Sequence, residues 1–558
     1  MTVGVCVPIQ CDAGSIKYLA ERIVSLSPSN LTVDCYSEQQ FAGYDYLLCF
    51  IALVILAIVA YASLKDKKNS SSALLNSFSI TRNLKYLNSS RDFGLRYQIN
   101  LSPVDGFKVL SMLWTIVVHS YNFSIQWLQF DNVKEVRDVY STVWTQWIAN
   151  GTFSVDNFLI ISGLLSSLKF HSRPSESLSE SVLRRYLRLA PAMVLLILFS
   201  INVLPFLDCG PSWAGATVMF DQWCRKNWPI NLFMLQNYIN TQNMCYSHTW
   251  FISVEMQLFL AVRLFRSLCF TATQSKSCSE QDSSLRLLVA EKRRKCFLTL
   301  LILLCACGQL LAASLVYLSD LPAMPLLPAT PSAMNEYYGQ IYIKPFYWFS
   351  SYVAGAVSGE IIRSRRARGT SSNVRKAKLN TVRRCADCIA PEFCALLAVL
   401  LIWSNLSYFR TKEPMSKQTA TIYTFVTRPI WSVCMTVILY RLVVERREKR
   451  NWLRILRNFL SMKIWRPLSR LSFGAYLLHP VIMAMFYGSR SETFNMTPAL
   501  MLYFTSGNIF LTYFAAMAFF LLVESPIRQI LSLLLFRKCP PTNSHSEVSA
   551  LSVGTSLT

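Results

Sequence analysis

Residues 105–123 read Asp105-Gly-Phe-Lys108-Val-Leu-Ser-Met-Leu-Trp-Thr-Ile-Val-Val-His119-Ser-Tyr-Asn-Phe123. A helix this long rises about 28 Å at ~1.5 Å per residue, close to the ~30 Å of a bilayer's hydrocarbon core. Lys108 and His119 are eleven residues apart, so at ~100° per residue they share a face, separated by roughly 16 Å along the axis. An ionisable ring in lipid is costly, and a helix that keeps one turns it into a bundle, where it pairs or does chemistry. His119 is therefore the residue to explain.

The rest of the chain supplies the bundle. With 53% hydrophobic, 13% aromatic and only 15% charged residues among 558, the composition is too apolar for an ordinary soluble protein. Apolar runs long enough to span a membrane fall near Asp45–Leu64, Asp105–Phe123, Gly151–Leu168, Leu183–Leu204, Trp250–Phe270, Phe297–Tyr317, Ile343–Ile362, Ile389–Tyr408, Thr419–Tyr440, Leu468–Tyr487 and Leu502–Val523. The expected architecture is an all-α, polytopic transmembrane helix bundle of about eleven spans. Basic residues crowd every second loop: Lys65, Lys67 and Lys68; Lys169 to Arg184; Lys292 to Lys295; Arg363 to Arg384; Arg441 to Arg470. That alternation places those loops in the cytoplasm, the amino terminus outside and the carboxyl tail inside. The net charge of +24 is spread over many short loops instead of one patch, so topology and anionic lipid account for it and a nucleic-acid partner is not expected.

Cysteines agree with this sidedness. Cys6, Cys11 and Cys35 precede the first span and Cys209, Cys224 and Cys245 lie in the longest outside loop, an oxidising place where all six are disulfide candidates. Each set is odd, so either one bond joins the two regions or a partner is missing. No signal peptide precedes Cys6, although its segment must be translocated, and a longer secreted domain upstream is expected. Sequons at Asn30, Asn150 and Asn495 fall outside and are glycosylation candidates, whereas Asn69 and Asn88 fall inside. Cys385 and Cys388 resemble half a zinc site, but no second pair stands nearby, and they read as ordinary thiols.

Several further polar residues join Lys108 and His119 within or beside the spans. Arg184 and Arg188 line one helical face with Arg185 beside them; guanidinium forks suit phosphate, and equally they anchor a helix end at the inner surface. His248 and Glu255, seven apart, share a face. Glu255 is suited to orient a histidine, to bind a cation, or to pair with Arg428 or Lys344, and Asp156 carries the same ambiguity. His479 precedes Pro480, so packing around a helix break explains it at least as well as chemistry. No His-Glu-x-x-His helix or Cys/His cluster supports a metal, and Ser162-Gly163 lacks a Gly-x-Ser-x-Gly elbow.

Taken in order, Gly106-Phe-Lys108 with His119, Val155-Asp156-Asn-Phe-Leu-Ile-Ile-Ser162-Gly163, Arg184-Arg185-Tyr-Leu-Arg188-Leu-Ala-Pro191, His248-Thr-Trp250-Phe-Ile-Ser253-Val-Glu255-Met-Gln257, Leu471-Ser472-Phe473-Gly474-Ala-Tyr476-Leu-Leu-His479-Pro480 and Val523-Glu524-Ser-Pro526 resemble the motifs of the integral-membrane acyltransferase type 3 family, in its nose-resistant-to-fluoxetine-like animal branch. The resemblance runs over about 420 residues, and the stretch from Gly4 to Cys35 looks like the tail of that branch's Cys-rich extracellular domain. It implies residues 1–44 as the end of that domain, 45–64 as a first transmembrane helix, 65–104 as a cytoplasmic linker, 105–524 as the acyltransferase domain and 525–558 as a cytoplasmic tail. It also implies transfer of an acyl group, often acetyl, from acyl-CoA to a hydroxyl-bearing lipid, sterol, glycan or small molecule, with no cofactor bound. His119, Glu255 and Asp156 become catalytic candidates, Lys108, Arg184, Arg185 and Arg188 donor-binding ones, and His248, Ser253 and His479 further candidates. Lys108 stands where the family usually has Arg, keeping the charge and losing the fork. Two other readings stand beside this one: a lipid or drug carrier, since buried charges also mark permeation paths, and a receptor or scaffold on an inactive core.

Overall fold

The computed structural model describes residues 43–66, 72–89, 100–172, 176–208, 210, 212–271, 283–327, 329–368, 391–444 and 450–535. Eleven helices of 13 residues or more lie among them: α1 Gly43–Asp66, α2 Ser102–Trp127, α3 Phe153–Ser172, α4 Leu178–Asn202, α5 Trp250–Thr271, α6 Ser283–Ser319, α7 Pro345–Arg368, α8 Pro391–Trp403, α9 Lys417–Val444, α10 Trp465–Gly488 and α11 Pro498–Phe519. A helix overlaps each of the eleven apolar runs. Among the described residues seven stretches, Phe153–Phe170, Leu178–Phe206, Glu291–Ser319, Pro391–Thr411, Lys417–Val444, Trp465–Gly488 and Pro498–Leu534, are long and apolar enough to cross a membrane, and the chain is an integral membrane protein. The Cys-rich residues 1–42, and with them Cys6, Cys11, Cys35 and Asn30, lie outside the described residues, as do Asn69, Cys209, Cys385 and Cys388.

The centre of the bundle is α2, α3, α7 and α10. Without a hydrophobic driving force between helices in lipid, close approach through small residues holds such a core together. Gly163 on α3 and Gly355 on α7 show this, since a Cβ on Gly163 would stand 2.1 Å from the Tyr352 carbonyl oxygen and one on Gly355 would stand 2.0 Å from that of Ile160. The Ser162-Gly163 pair, considered above for a catalytic turn, is thus a backbone-to-backbone contact. The only strands among the described residues, β1 Gln129–Phe130 and β2 Thr493–Phe494, pair in parallel and tie the segment after α2 to the segment after α10.

Two of the expected boundaries fall in continuous or docked structure. Residues 65–104 are more than a linker: the helix Ile80–Asn88 is capped by Ser79 and docks on the bundle through buried Asn83, whose Oδ1 accepts from Ser525 Oγ at 2.8 Å. The line drawn after Glu524 falls inside one helical run, because the π turn Phe520–Glu524 leads directly into the helix Ser525–Leu535. Pro526 sits where the π turn gives way to that helix. The disulfide among the described residues joins Cys224 and Cys245. Asn150, expected to be a sugar acceptor, is 1% exposed, and its amide donates to the carbonyls of Gln146 and Ile402. That sequon is inaccessible in the folded protein, whereas Asn495 is exposed.

Candidate functional site

The contact between α2 and α10 brings His119 against His479. Their rings lie nearly parallel, 4.9 Å apart at 14°, with His119 Nδ1 2.7 Å from His479 Nε2. His479 Nδ1 is in turn 3.1 Å from the carbonyl oxygen of Ala475. A carbonyl only accepts, so His479 Nδ1 carries a proton; in the neutral ring Nε2 then offers its lone pair to His119 Nδ1–H. The far nitrogen of neutral His119, Nε2, is left with a lone pair of its own. Pro480, with no N–H, leaves the neighbouring Tyr476 carbonyl without its helical partner inside the continuous helix α10. A third ring, His248, lies 5.8 Å from His479 and edge-on to Tyr476. Its buried nitrogens make no close hydrogen bond, with the Leu477 carbonyl the backbone acceptor beside it. Among the described residues no group of three His, Cys, Asp or Glu side chains is arranged to hold a metal.

Toward the Lys108 end of α2 the helices part around a cavity of about 220 Å³. Six cationic side chains line it: Lys108, Lys169, Arg185, Arg188, Arg470 and Arg528. Lys108 Nζ donates to the Ser469 carbonyl at 2.7 Å, and Arg470 reaches the Tyr86 carbonyl and Ser89 Oγ on the docked helix Ile80–Asn88. Arg185 holds Glu255, with Nε 3.1 Å from Oε2, donates to Ser162 Oγ at 2.7 Å, and lies over the Phe259 ring at 4.2 Å. Phe251 and Tyr476 belong to the lining; the three histidines do not. Tyr476 therefore stands between cavity and imidazoles, its hydroxyl donating to the His248 carbonyl.

Several expected roles change. Arg184 does not line the cavity and instead pairs with Glu176 at 2.9 Å and with Glu180. Glu255 is the partner of Arg185 and not of Arg428, Lys344 or a histidine; Lys344 Nζ donates to the Asn237 carbonyl. Asp156, proposed for catalysis, is fully buried in an ion pair with Arg428 at 2.6 Å and accepts from Ser351 Oγ at 2.6 Å. Arg428 lies 3.8 Å over Trp348 and 4.3 Å over Tyr347. So enclosed, the carboxylate does not line the cavity. Ser253 is buried away from the cavity, its hydroxyl without a hydrogen-bond partner.

Lys169, Arg470 and Arg528 are the cavity-lining cations that reading the chain did not single out. Arg470 counts among a run of basic residues that the positive-inside pattern already explains, and Arg528 lies beyond Glu524, in what reads as a tail. The buried pair Arg266–Glu360 was also missed. Its members stand 94 positions apart, and no local pattern links them.

Comparison with known proteins places this arrangement in context. A family described as acyltransferase domain matches residues 102–525. The chain is 23% identical over 580 aligned positions to nose resistant to fluoxetine protein 6 of Caenorhabditis elegans, with 94% of this chain and 66% of that protein aligned. The chain thus spans just under two thirds of that relative's length. No solved structure matches.

Proposed function

The chain belongs to the acyltransferase family whose domain it matches, and on that premise we propose that it transfers an acyl group, acetyl in the simplest case, from acyl-CoA to a hydroxyl-bearing lipid, sterol, glycan or small molecule. The observation that carries this reading is the pairing, along one helix, of an imidazole whose Nε2 lone pair is available with a cavity lined by six cations. An alcohol attacks a thioester slowly unless a base takes its proton, and imidazole is the side chain whose charge changes near neutral pH.

In the proposed step the acceptor oxygen bonds to the thioester carbon as its proton passes to His119 Nε2. The tetrahedral intermediate collapses, the C–S bond breaks, and the same proton leaves His119 for the thiolate. The products are an ester and free coenzyme A, with the imidazole returned to its starting state. Lys108, Arg188 and Arg470 supply charge for the donor's phosphates, while Arg528 is paired with Glu524 in the same lining. On this reading the cavity end lies in the cytoplasm, where the donor is made, and the alternation of basic loops supports that orientation. The ~16 Å between Lys108 and His119 along the helix is a distance for the pantetheine arm, whose thioester end has to pass Tyr476 to reach the base.

Purified full-length protein in proteoliposomes, supplied with radiolabelled acetyl-CoA and lipid or metabolite extract, tests the reading. Label in an ester product with release of coenzyme A supports it. Extract components crossing the bilayer with no thioester consumed would replace it with the carrier reading.

A further inference from the structure

Resting on the function just proposed, we infer that His479 is a positioning residue for the acyl transfer, holding His119 in the one tautomer that presents a lone pair at Nε2. A neutral imidazole divides its proton between two nitrogens unless a partner chooses. Here the choice is made by a fixed chain of acceptors: the Ala475 carbonyl takes the His479 Nδ1 proton at 3.1 Å, and His479 Nε2 takes the His119 Nδ1 proton at 2.7 Å. Because the first acceptor is a backbone carbonyl, the chain cannot run in the opposite sense without setting the bare lone pair of His479 Nδ1 against the lone pairs of the Ala475 oxygen.

The same contact serves the charged intermediate. When His119 takes the acceptor's proton its ring holds two, and the second already has an acceptor in His479 Nε2. Without it, an imidazolium N–H would sit unpaired where water is scarce, at a cost of several-fold to many-fold in rate. His479 is fully buried and does not line the cavity, so it acts through His119 and not on the substrate. His248 does not compete for the proton: its ring packs edge-on at 65° to His479.

His479→Leu and His479→Gln separate this role from packing, because both fill comparable space and only Gln places an acceptor oxygen near the position of Nε2. With matched expression and unfolding temperature, His479→Leu is expected to lower kcat by about 10²-fold with KM for acetyl-CoA unchanged, and His479→Gln to recover at least ~10-fold of that loss. Equal kcat for the Leu variant and the wild type, while His119→Ala is inactive, would overturn the positioning role and leave the proposed base in place. A folded Gln variant as slow as Leu would overturn it too. Wild-type protein without any transferase activity would remove the proposed function and this inference together.

Discussion

Asp156 and Arg428 show how the membrane sets the meaning of a charge. Each alone in the bundle would carry a large desolvation penalty, so they pair at 2.6 Å with Ser351 completing the carboxylate's hydrogen bonds and two aromatic faces covering the guanidinium. Removing one partner strands the other, and Asp156→Ala is expected to cost about 3–5 kcal/mol of stability. Asp156→Leu combined with Arg428→Met should recover most of that loss, as followed by thermal unfolding in detergent; a double variant no better than the single one would contradict the pairing. At this scale the chemistry-bearing residues were legible in the chain, and Arg428 was among the partners open to a buried carboxylate, but nothing local chose between Asp156 and Glu255. Asp156 finds Arg428 272 positions away, and His479 reads locally as a residue beside a proline until α2 sets His119 against it. Periodicity gives a residue its face; only packing gives it a neighbour.

Helices were the most legible elements, because twenty apolar residues in a row permit little else. The apolar pattern sees only the membrane-depth part of each: the run from Phe297 lies inside α6, which begins at Ser283, and the run through Tyr408 is broken after Trp403, where buried Asn405 bonds Asn150 and Tyr423. How close two helices come was not legible, as it depends on which glycines face each other. Gly355→Ala forces α3 and α7 apart and should lower stability by about 1–3 kcal/mol. Gly507→Ala on α11, where a Cβ meets nothing within 4 Å, should be neutral or stabilising by up to ~1 kcal/mol. Comparable losses in unfolding temperature for both would contradict the close-contact account. The bond between Cys224 and Cys245 closes a segment of 21 positions just before His248, and Cys224→Ser is expected to cost roughly 3 kcal/mol. Unfolding temperatures measured with and without reductant check this, and equal values would contradict it.

For the molecule as a whole, the alternation of basic loops gave a sidedness on which the direction of transfer depends. If Asn495 faces outward it carries a glycan, and Asn495→Gln reduces a glycosidase-sensitive mobility shift that Asn150→Gln, its side chain buried, leaves intact; a shift reduced only with Asn150 would contradict the burial. The cation-lined cavity and the histidine chain sit on the same helix and are separated by Tyr476, an arrangement that no single motif disclosed because it draws on α2, α3, α4, α5, α10 and the helix after Glu524. The most direct test is turnover of acetyl-CoA by purified His119→Ala protein beside the wild type at equal folded amount. A fall in kcat of about 10²–10⁴-fold with donor binding retained is predicted; undiminished turnover would contradict it.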